Sequence, residues 1–133
     1  TLSSSSAASD VYKRQLYNYV VSQISIESLK ILEIGSGRGG GASFVAKYYK
    51  PLSIIGLDYS ASAVALSNRL HKNVNNLSFI RGDAENLPFD DNTFDKLVIS
   101  YGFRYLLCLV PISLLLFNYI FNFSKHLFFW CLR

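Results

Sequence analysis

Five glycines fall within seven consecutive positions of the segment 31–44, ILEIGSGRGGGASF, directly after an apolar run. Gly35 allows a tight exit from a strand, and Gly37 lets the backbone approach a ligand without a Cβ atom in the way. Gly39 begins a triplet that permits close packing and positive φ angles before a helix starts. Because a helix N-terminus offers free N–H groups to a carboxylate or a phosphate, this segment predicts a site for a nucleotide-like cofactor.

Three acidic residues accompany this turn, each in or just after an apolar run. Glu33 lies in the run before the glycines, Asp58 ends a second run, and Asp83 follows a third. Ligands of open parallel sheets bind at the carboxyl ends of the strands, so we expect the three carboxylates to meet at one sheet edge, with Asp58 near ribose hydroxyls. Each acid also has a simpler interpretation: Glu33 as an acid that meets solvent, Asp58 as a helix cap, and Asp83 as a turn former.

The segment 16–101 alternates strand-like and helix-like stretches, which is typical of an α/β fold. Short apolar runs predict buried strands, while Pro51 and Ser60 mark a helix end and a helix N-cap. The expected strands are 29–34, 53–57, 77–80 and 96–100, and the expected helices are 42–50 and 61–71. The sequence thus predicts an incomplete Rossmann-like parallel sheet of about four strands, with helices on both faces, followed by an apolar C-terminal helical tail.

The glycine spacing fits two cofactor chemistries. Gly35, Gly37 and Gly40 satisfy the G-x-G-x-x-G pattern of dinucleotide-binding folds. Glu33 favours a different interpretation, because a carboxylate placed there would repel a pyrophosphate but not an ammonium or a sulfonium. The run from Glu33 to Gly39, EIGSGRG, resembles the acidic-x-G-x-G-x-G motif of class I methyltransferases that use S-adenosylmethionine, in which the acid lies near the methionine part of the cofactor.

Two downstream stretches extend the resemblance. Residues 82–89, GDAENLPF, and 90–95, DDNTFD, are similar to the third-strand and fourth-strand motifs of the type 11 branch of that family. The resemblance covers about residues 29–100 and implies that Asp83 and the backbone of Ala84 hold the adenine amino group. Within the branch, the sequence is most similar to methyltransferases that act on lipid, sterol or polyketide hydroxyls and carbons.

The resemblance implies this set of cofactor-binding residues: Glu33, Gly35, Ser36, Gly37, Gly39, Asp58, Tyr59, Asp83, Ala84 and Ser100. The sulfonium already makes the cofactor's methyl group electrophilic, so the site has mainly to position a nucleophile and exclude water. We therefore assign no catalytic residue and no metal ligand. His71 and His126 are interpreted as residues without a part in catalysis.

Charge and cysteine content exclude several other classes of function. The formal net charge is +4, and its excess arises after the last acidic residue, Asp95, from four scattered basic residues. Such an excess is not a basic patch, so we expect no nucleic-acid partner. Cys108 and Cys131 lie in apolar surroundings without C-x-x-C spacing, which argues against a zinc site or a disulfide framework and favours a reducing, cytoplasmic setting.

The two ends of the chain differ from the segment between them. Residues 1–15, TLSSSSAASDVYKRQ, resemble translated adaptor sequence, and a natural disordered leader is the alternative. The tail, 102–133, includes the uncharged segment 105–124, which is either a transmembrane helix or the out-of-frame end of a chain truncated after the fourth strand.

The sequence thus predicts a partial cofactor-binding domain over 16–101 and methyl transfer to a small-molecule or lipid-like acceptor. A membrane contact through the tail is part of this expectation, and the oligomeric state is left open. Two alternatives stay open: a fragment of a nicotinamide-dependent oxidoreductase, and a membrane-anchored nucleotide-binding module.

Overall fold

The computed structural model describes residues 4–22, 25–101 and 105–111. Three helices lie in these ranges: α1 (Ser4–Val21), α2 (Gly40–Tyr48) and α3 (Ala61–Leu70). Five strands accompany them: β1 (Lys30–Ile34), β2 (Ser53–Asp58), β3 (Leu77–Arg81), β4 (Lys96–Tyr101) and β5 (Tyr105–Pro111).

The strands form one sheet in the order β3-β2-β1-β4-β5. Strand β1 pairs in parallel with β2 and β4, and β2 pairs in parallel with β3. The prediction of four parallel strands is therefore confirmed. The strand order reverses beside β1, which is the point at which open sheets of this kind bind ligands.

Strand β5 departs from the expectation of a helical tail. It pairs antiparallel with β4, so the prediction of a helix beginning at residue 105 is wrong for residues 105–111. Periodicity alone cannot separate helix from strand in a short apolar run, and pairing here satisfies backbone groups along the edge of β4. The rest of the tail, 112–133, lies outside the described residues. Within the described ranges, no helix combines the length and apolarity needed to cross a membrane.

The sheet separates two apolar clusters. The first contains buried residues of α1, α2, β1 and β2, and Val64 of α3 packs against it. The second is covered by the connection between β3 and β4, through Leu87, Phe89 and Phe94. In the described part of the chain the helices thus cover one face, where the sequence predicted both. Right-handed crossovers on one side of the switch point place α2 and α3 together, and the β3–β4 connection contains no helix.

Helix α1 occupies most of the segment that was expected to be a disordered or non-native leader. Residues from Ser4 onward are helical, and the expected boundary at residue 15 falls inside the helix. Tyr17 and Val21 are buried in the first cluster, so packing rather than local sequence holds the helix in place. The described residues of this segment are helical from Ser4 onward, and the non-native or native origin of residues 1–15 stays a prediction.

Candidate functional site

The glycine turn leaves β1 and crosses the end of β2. The backbone N–H groups of Gly35 and Ser36 donate to the Leu57 carbonyl at 2.8 and 3.2 Å, and Gly39 N–H donates to Ser36 O at 2.9 Å. Gly35, Gly37 and Gly39 have φ angles of 75°, 55° and 78°. Because side chains disfavour this left-handed region, the turn requires glycine at these positions. We call residues 35–39 the glycine loop.

The glycines serve different purposes. A Cβ atom on Gly39 would overlap the Phe79 ring, and one on Gly41 would overlap the Tyr17 ring. The expected close packing is therefore confirmed at these two positions. A Cβ atom on Gly37 would meet nothing within 4 Å, so this glycine borders open space. Gly37 is accordingly where a ligand can approach the backbone of the loop.

Asp58 ties the glycine loop to the start of α3. Its Oδ2 accepts the Gly37 N–H at 2.8 Å, and its Oδ1 accepts the Ser60 N–H at 2.9 Å. The helix N-cap is Ser60, whose Oγ accepts the Ala63 N–H at 3.3 Å, so the interpretation of Asp58 as the cap is wrong. A carboxylate has about four acceptor positions, and two N–H groups leave room for further donors.

Helix α3 also braces the glycine loop, which the sequence did not predict. The buried Ser67 donates its hydroxyl to Gly37 O at 2.8 Å, and His71 Nε2 lies 3.1 Å from Arg38 O, an acceptor that requires the Nε2–H tautomer. The available signal was the four-residue spacing of two polar side chains on one helix face. His71 therefore has a structural contact with the loop.

Glu33 lies in β1, two residues before the glycine loop, and its side chain faces the side of the sheet that α1 and α2 cover. Its exposed fraction is 0 %, so the interpretation of Glu33 as an acid that meets solvent is wrong. Oε1 accepts the hydroxyl of Tyr17, whereas Oε2 has no partner within the described residues. Burial is the largest influence on the pKa of Glu33 and raises it. The Tyr17 hydrogen bond lowers this pKa and the charge of Asp58 raises it, and the net result is a pKa of about 7. Sequence reasoning missed Tyr17 because it lies outside every motif.

Ser36 provides a second buried polar atom without a partner. Its side chain is 9 % exposed, and its Oγ makes no hydrogen bond with the part of the chain that is described. Nearly all buried polar atoms in proteins have a hydrogen-bond partner. Two unpartnered atoms only three residues apart, Glu33 Oε2 and Ser36 Oγ, therefore call for an explanation. Both atoms are buried, so a ligand that brings positive charge to the adjoining loop would act on the Glu33 carboxyl through space.

Asp83 and Ala84 follow β3 at the same sheet edge. Strand register pairs Asp58 with Arg81, so Asp83 lies two residues beyond the neighbour of Asp58. Asp83 is exposed and forms a turn, in which its Oδ1 accepts the Glu85 N–H at 2.9 Å. The interpretation of Asp83 as a turn former is thus confirmed. The role of Asp83 in binding adenine stays a prediction. Ala84 is partly buried and packs against the second apolar cluster.

Two further members of the predicted set complete this edge. Tyr59 is 71 % exposed, and the Arg81 guanidinium lies 5.8 Å from the centre of its ring. Ser100 lies within β4, on the other side of β1, and its side chain is outside what the structure describes. The sheet therefore brings the glycine loop, Asp58 and Asp83 to adjacent strand ends.

A separate hollow lies at the opposite end of α2. Its volume is about 560 Å³, and it shares no residue with the glycine loop; its lining residues are Ser22, Ser25, Ile26, Glu27, Tyr48, Tyr49 and Lys50. This hollow is open to solvent, and its lining includes neither Glu33 nor Ser36, the two residues with buried, unpartnered polar atoms. The chemistry of the chain therefore points to the loop rather than to this hollow. No group of three or more metal-ligating side chains occurs among the described residues.

Comparison with known proteins gives an independent view of the chain. A family model described as "Methyltransferase domain" matches residues 31–109, from β1 into β5. The fatty-acid O-methyltransferase of Mycolicibacterium smegmatis is 39% identical over 87 residues, which are 65% of this chain and 31% of that protein. The phthiotriol/phenolphthiotriol dimycocerosates methyltransferase of Mycobacterium leprae is 40% identical over 83 residues, 62% of this chain and 30% of the relative.

A solved structure supports the fold assignment. The YcgJ protein of Bacillus subtilis superimposes with a TM-score of 0.60 at 28% identity, covering 65% of this chain and 38% of that one. The chain spans about a third of the length of the curated relatives it matches.

Proposed function

Because the chain belongs to the methyltransferase domain family, we propose that its glycine loop binds S-adenosylmethionine and that the whole protein transfers the methyl group to a small-molecule or lipid-like acceptor. The family supports the reaction class. Because the chain spans only about a third of the length of these relatives, the activity, the acceptor and the partners of the whole protein are part of this proposal.

The buried Glu33 is the observation that carries the choice of cofactor. A buried carboxyl two residues before the glycine loop, with one oxygen left unpartnered, favours a ligand that brings positive charge to the loop. S-adenosylmethionine carries an ammonium and a sulfonium, whereas a nicotinamide dinucleotide carries a pyrophosphate that the Glu33 carboxylate would repel. The residues present therefore fit S-adenosylmethionine better than the dinucleotide alternative.

The other residues of the site lie at three strand ends, and each end would hold a different part of the cofactor. Asp58, already oriented by two backbone N–H groups, would accept hydrogen bonds from the ribose hydroxyls. Asp83 and the backbone of Ala84 would hold the adenine amino group, and the open side of Gly37 would admit the methionine part. The remaining members of the proposed set, adjoining these three ends, are Gly35, Ser36, Gly39, Tyr59 and Ser100.

Catalysis in this proposal depends on how the chain positions the cofactor relative to the acceptor. The bound cofactor supplies a methyl group made electrophilic by the sulfonium. The chain's own residues hold the adenosine, orient the cofactor and exclude water beneath the loop, and none is assigned as a general base. The names of the relatives, a fatty-acid and a phthiotriol methyltransferase, support an apolar acceptor. A cytoplasmic setting and a membrane contact through the tail stay predictions.

Substitution of Asp58 tests the proposal. Asp58→Ala removes a charged acceptor for the ribose hydroxyls, worth ~1.5–3 kcal/mol, so we expect S-adenosylmethionine to bind roughly 10- to 100-fold more weakly in a calorimetric titration. Asp95→Ala is the matched control, because that carboxylate also accepts a backbone N–H, from Lys30 at 2.8 Å, but at the opposite edge of the sheet. We expect the control to bind like the wild type.

Two results of this titration would contradict the proposal. Unchanged affinity in Asp58→Ala would remove that residue from the site. Binding of a nicotinamide dinucleotide in preference to S-adenosylmethionine would favour the oxidoreductase alternative.

A further inference from the structure

Tyr17 joins α1 to the base of the glycine loop. Its hydroxyl donates to Glu33 Oε1, and both side chains are buried. The Tyr17 ring lies against Gly41 in the first turn of α2, where only a residue without Cβ leaves room for it. One oxygen of Glu33 is thus fixed by an element outside every sequence motif, and the other, Oε2, is left without a partner.

We propose that Tyr17 is a positioning residue of the cofactor site, whose hydroxyl orients Glu33 and stabilises the ionised carboxylate that attracts the positive charge of the cofactor. This inference rests on the proposed function, because it assumes a cationic ligand at the glycine loop. It adds α1 to the site and gives the segment around residue 17 a part in binding.

Glu33 need not touch the ligand to respond to its charge. Oε2 is closed off from solvent, but a buried carboxyl in surroundings of low polarity responds to charges through space. The negative charge of Asp58 is one such charge, and it contributes to raising the pKa of Glu33. A positive charge of the methionine part, bound at the open side of Gly37, acts with the opposite sign and lowers that pKa, so cofactor binding draws Glu33 toward its ionised form and releases a proton to the buffer.

Few charged or titratable groups surround Glu33 among the described residues. Helix α1 contributes Tyr17 and β2 contributes Asp58, while the cross-strand neighbours of Glu33 are Gly56 and Val98. The buried face of α2 is uncharged; its residues are Ala42, Ser43, Val45 and Ala46. Tyr17 is therefore the group whose removal alters the ionisation of Glu33 without altering the charge of the site.

The test is the pH dependence of S-adenosylmethionine binding, measured by titration between pH 6 and pH 8. With a pKa of about 7 for Glu33, we expect the wild type to bind roughly tenfold more weakly at pH 6 than at pH 8. Tyr17→Phe keeps the ring against Gly41 but removes the hydroxyl. We expect the variant to bind roughly 5- to 50-fold more weakly than the wild type at pH 7, with the difference narrowing as the pH rises.

Two controls separate positioning from packing. Tyr49→Phe removes another hydroxyl from the interface of α1 and α2, one that donates to Asn18, and we expect it to leave the pH profile unchanged. The second control is 5′-methylthioadenosine, which has no ammonium and no sulfonium. Its binding should be independent of pH and equal in the wild type and Tyr17→Phe, and its calorimetric titration should release no proton.

The outcomes distinguish this inference from the proposed function. Tyr17 is a packing residue if Tyr17→Phe binds S-adenosylmethionine like the wild type at every pH, or if it binds both ligands more weakly by the same factor. Either result overturns this inference and leaves the proposed function standing. If the wild type binds neither ligand, the proposed function fails and the inference fails with it. A shifted profile for S-adenosylmethionine, with methylthioadenosine unaffected, supports both.

Discussion

Replacement of Glu33 by glutamine should stabilise the folded chain at alkaline pH while it weakens cofactor binding. Raising the pKa from 4.5 to about 7 means that ionising Glu33 costs up to about 3 kcal/mol more in the folded chain than in the unfolded chain. Glutamine occupies nearly the same volume, can accept the Tyr17 hydroxyl, and carries no charge to bury. The predicted gain is therefore the removal of a buried charge.

The sign of the effect follows from proton binding. Between pH 4.5 and about 7 the folded wild type binds more protons at Glu33 than the unfolded chain does, so its stability falls as the pH rises through this window. Below the window the neutral carboxyl and the amide are nearly equivalent, since each buries a polar group without a partner. Above it, the full cost of ionisation is present in the wild type and absent from Glu33→Gln.

Urea unfolding of both proteins at pH 5, 6, 7 and 8 measures this difference. We expect the free energy of unfolding of Glu33→Gln, relative to the wild type, to increase by roughly 2–3 kcal/mol from pH 5 to pH 8. Asp95→Asn, the same carboxylate-to-amide change at an exposed acid, should show no comparable trend. A stability difference between Glu33→Gln and the wild type that stays constant with pH would refute the reasoning, because it would mean that Glu33 ionises normally in the folded chain.

Two further predictions concern the support of the glycine loop. Gly41→Ala should destabilise the chain by about 1–3 kcal/mol through overlap with the Tyr17 ring, whereas Gly40→Ala, whose Cβ meets open space at the start of the same helix, should be neutral or slightly stabilising in thermal unfolding. Ser67→Ala should cost about 1 kcal/mol by leaving Gly37 O without its donor, and equal melting temperatures for this variant and the wild type would show that the hydroxyl does not brace the loop.

The parallel sheet and the glycine loop were predictable because their signals are local. Strand β2 was expected at 53–57 and lies at Ser53–Asp58, since a buried parallel strand appears as a short apolar run with clear boundaries. Helix α2 was expected to begin at residue 42 and begins at Gly40, because a loop containing several glycines does not reveal where left-handed angles give way to helical ones.

The missed features depend on contacts between distant segments. The run 105–111 has no periodicity that separates strand from helix, and its pairing with β4 decides the outcome. Helix α1 has a serine-rich start and a weak apolar face, so the anchor at Tyr17 becomes visible only through its contact with Glu33. The same contact explains why the burial of Glu33, unlike its place in the motif, could not be predicted from the sequence.

Mapping the bound cofactor on the isotope-labelled chain by NMR titration tests the central claim most directly. Addition of S-adenosylmethionine should shift the backbone amide signals of the glycine loop, of Asp58 and Tyr59, and of Asp83 and Ala84. The amides around the separate hollow at the opposite end of α2 should not move. Absence of any shift at saturating cofactor, or shifts confined to that hollow, would contradict the claim that these strand ends bind an adenosine that carries positive charge.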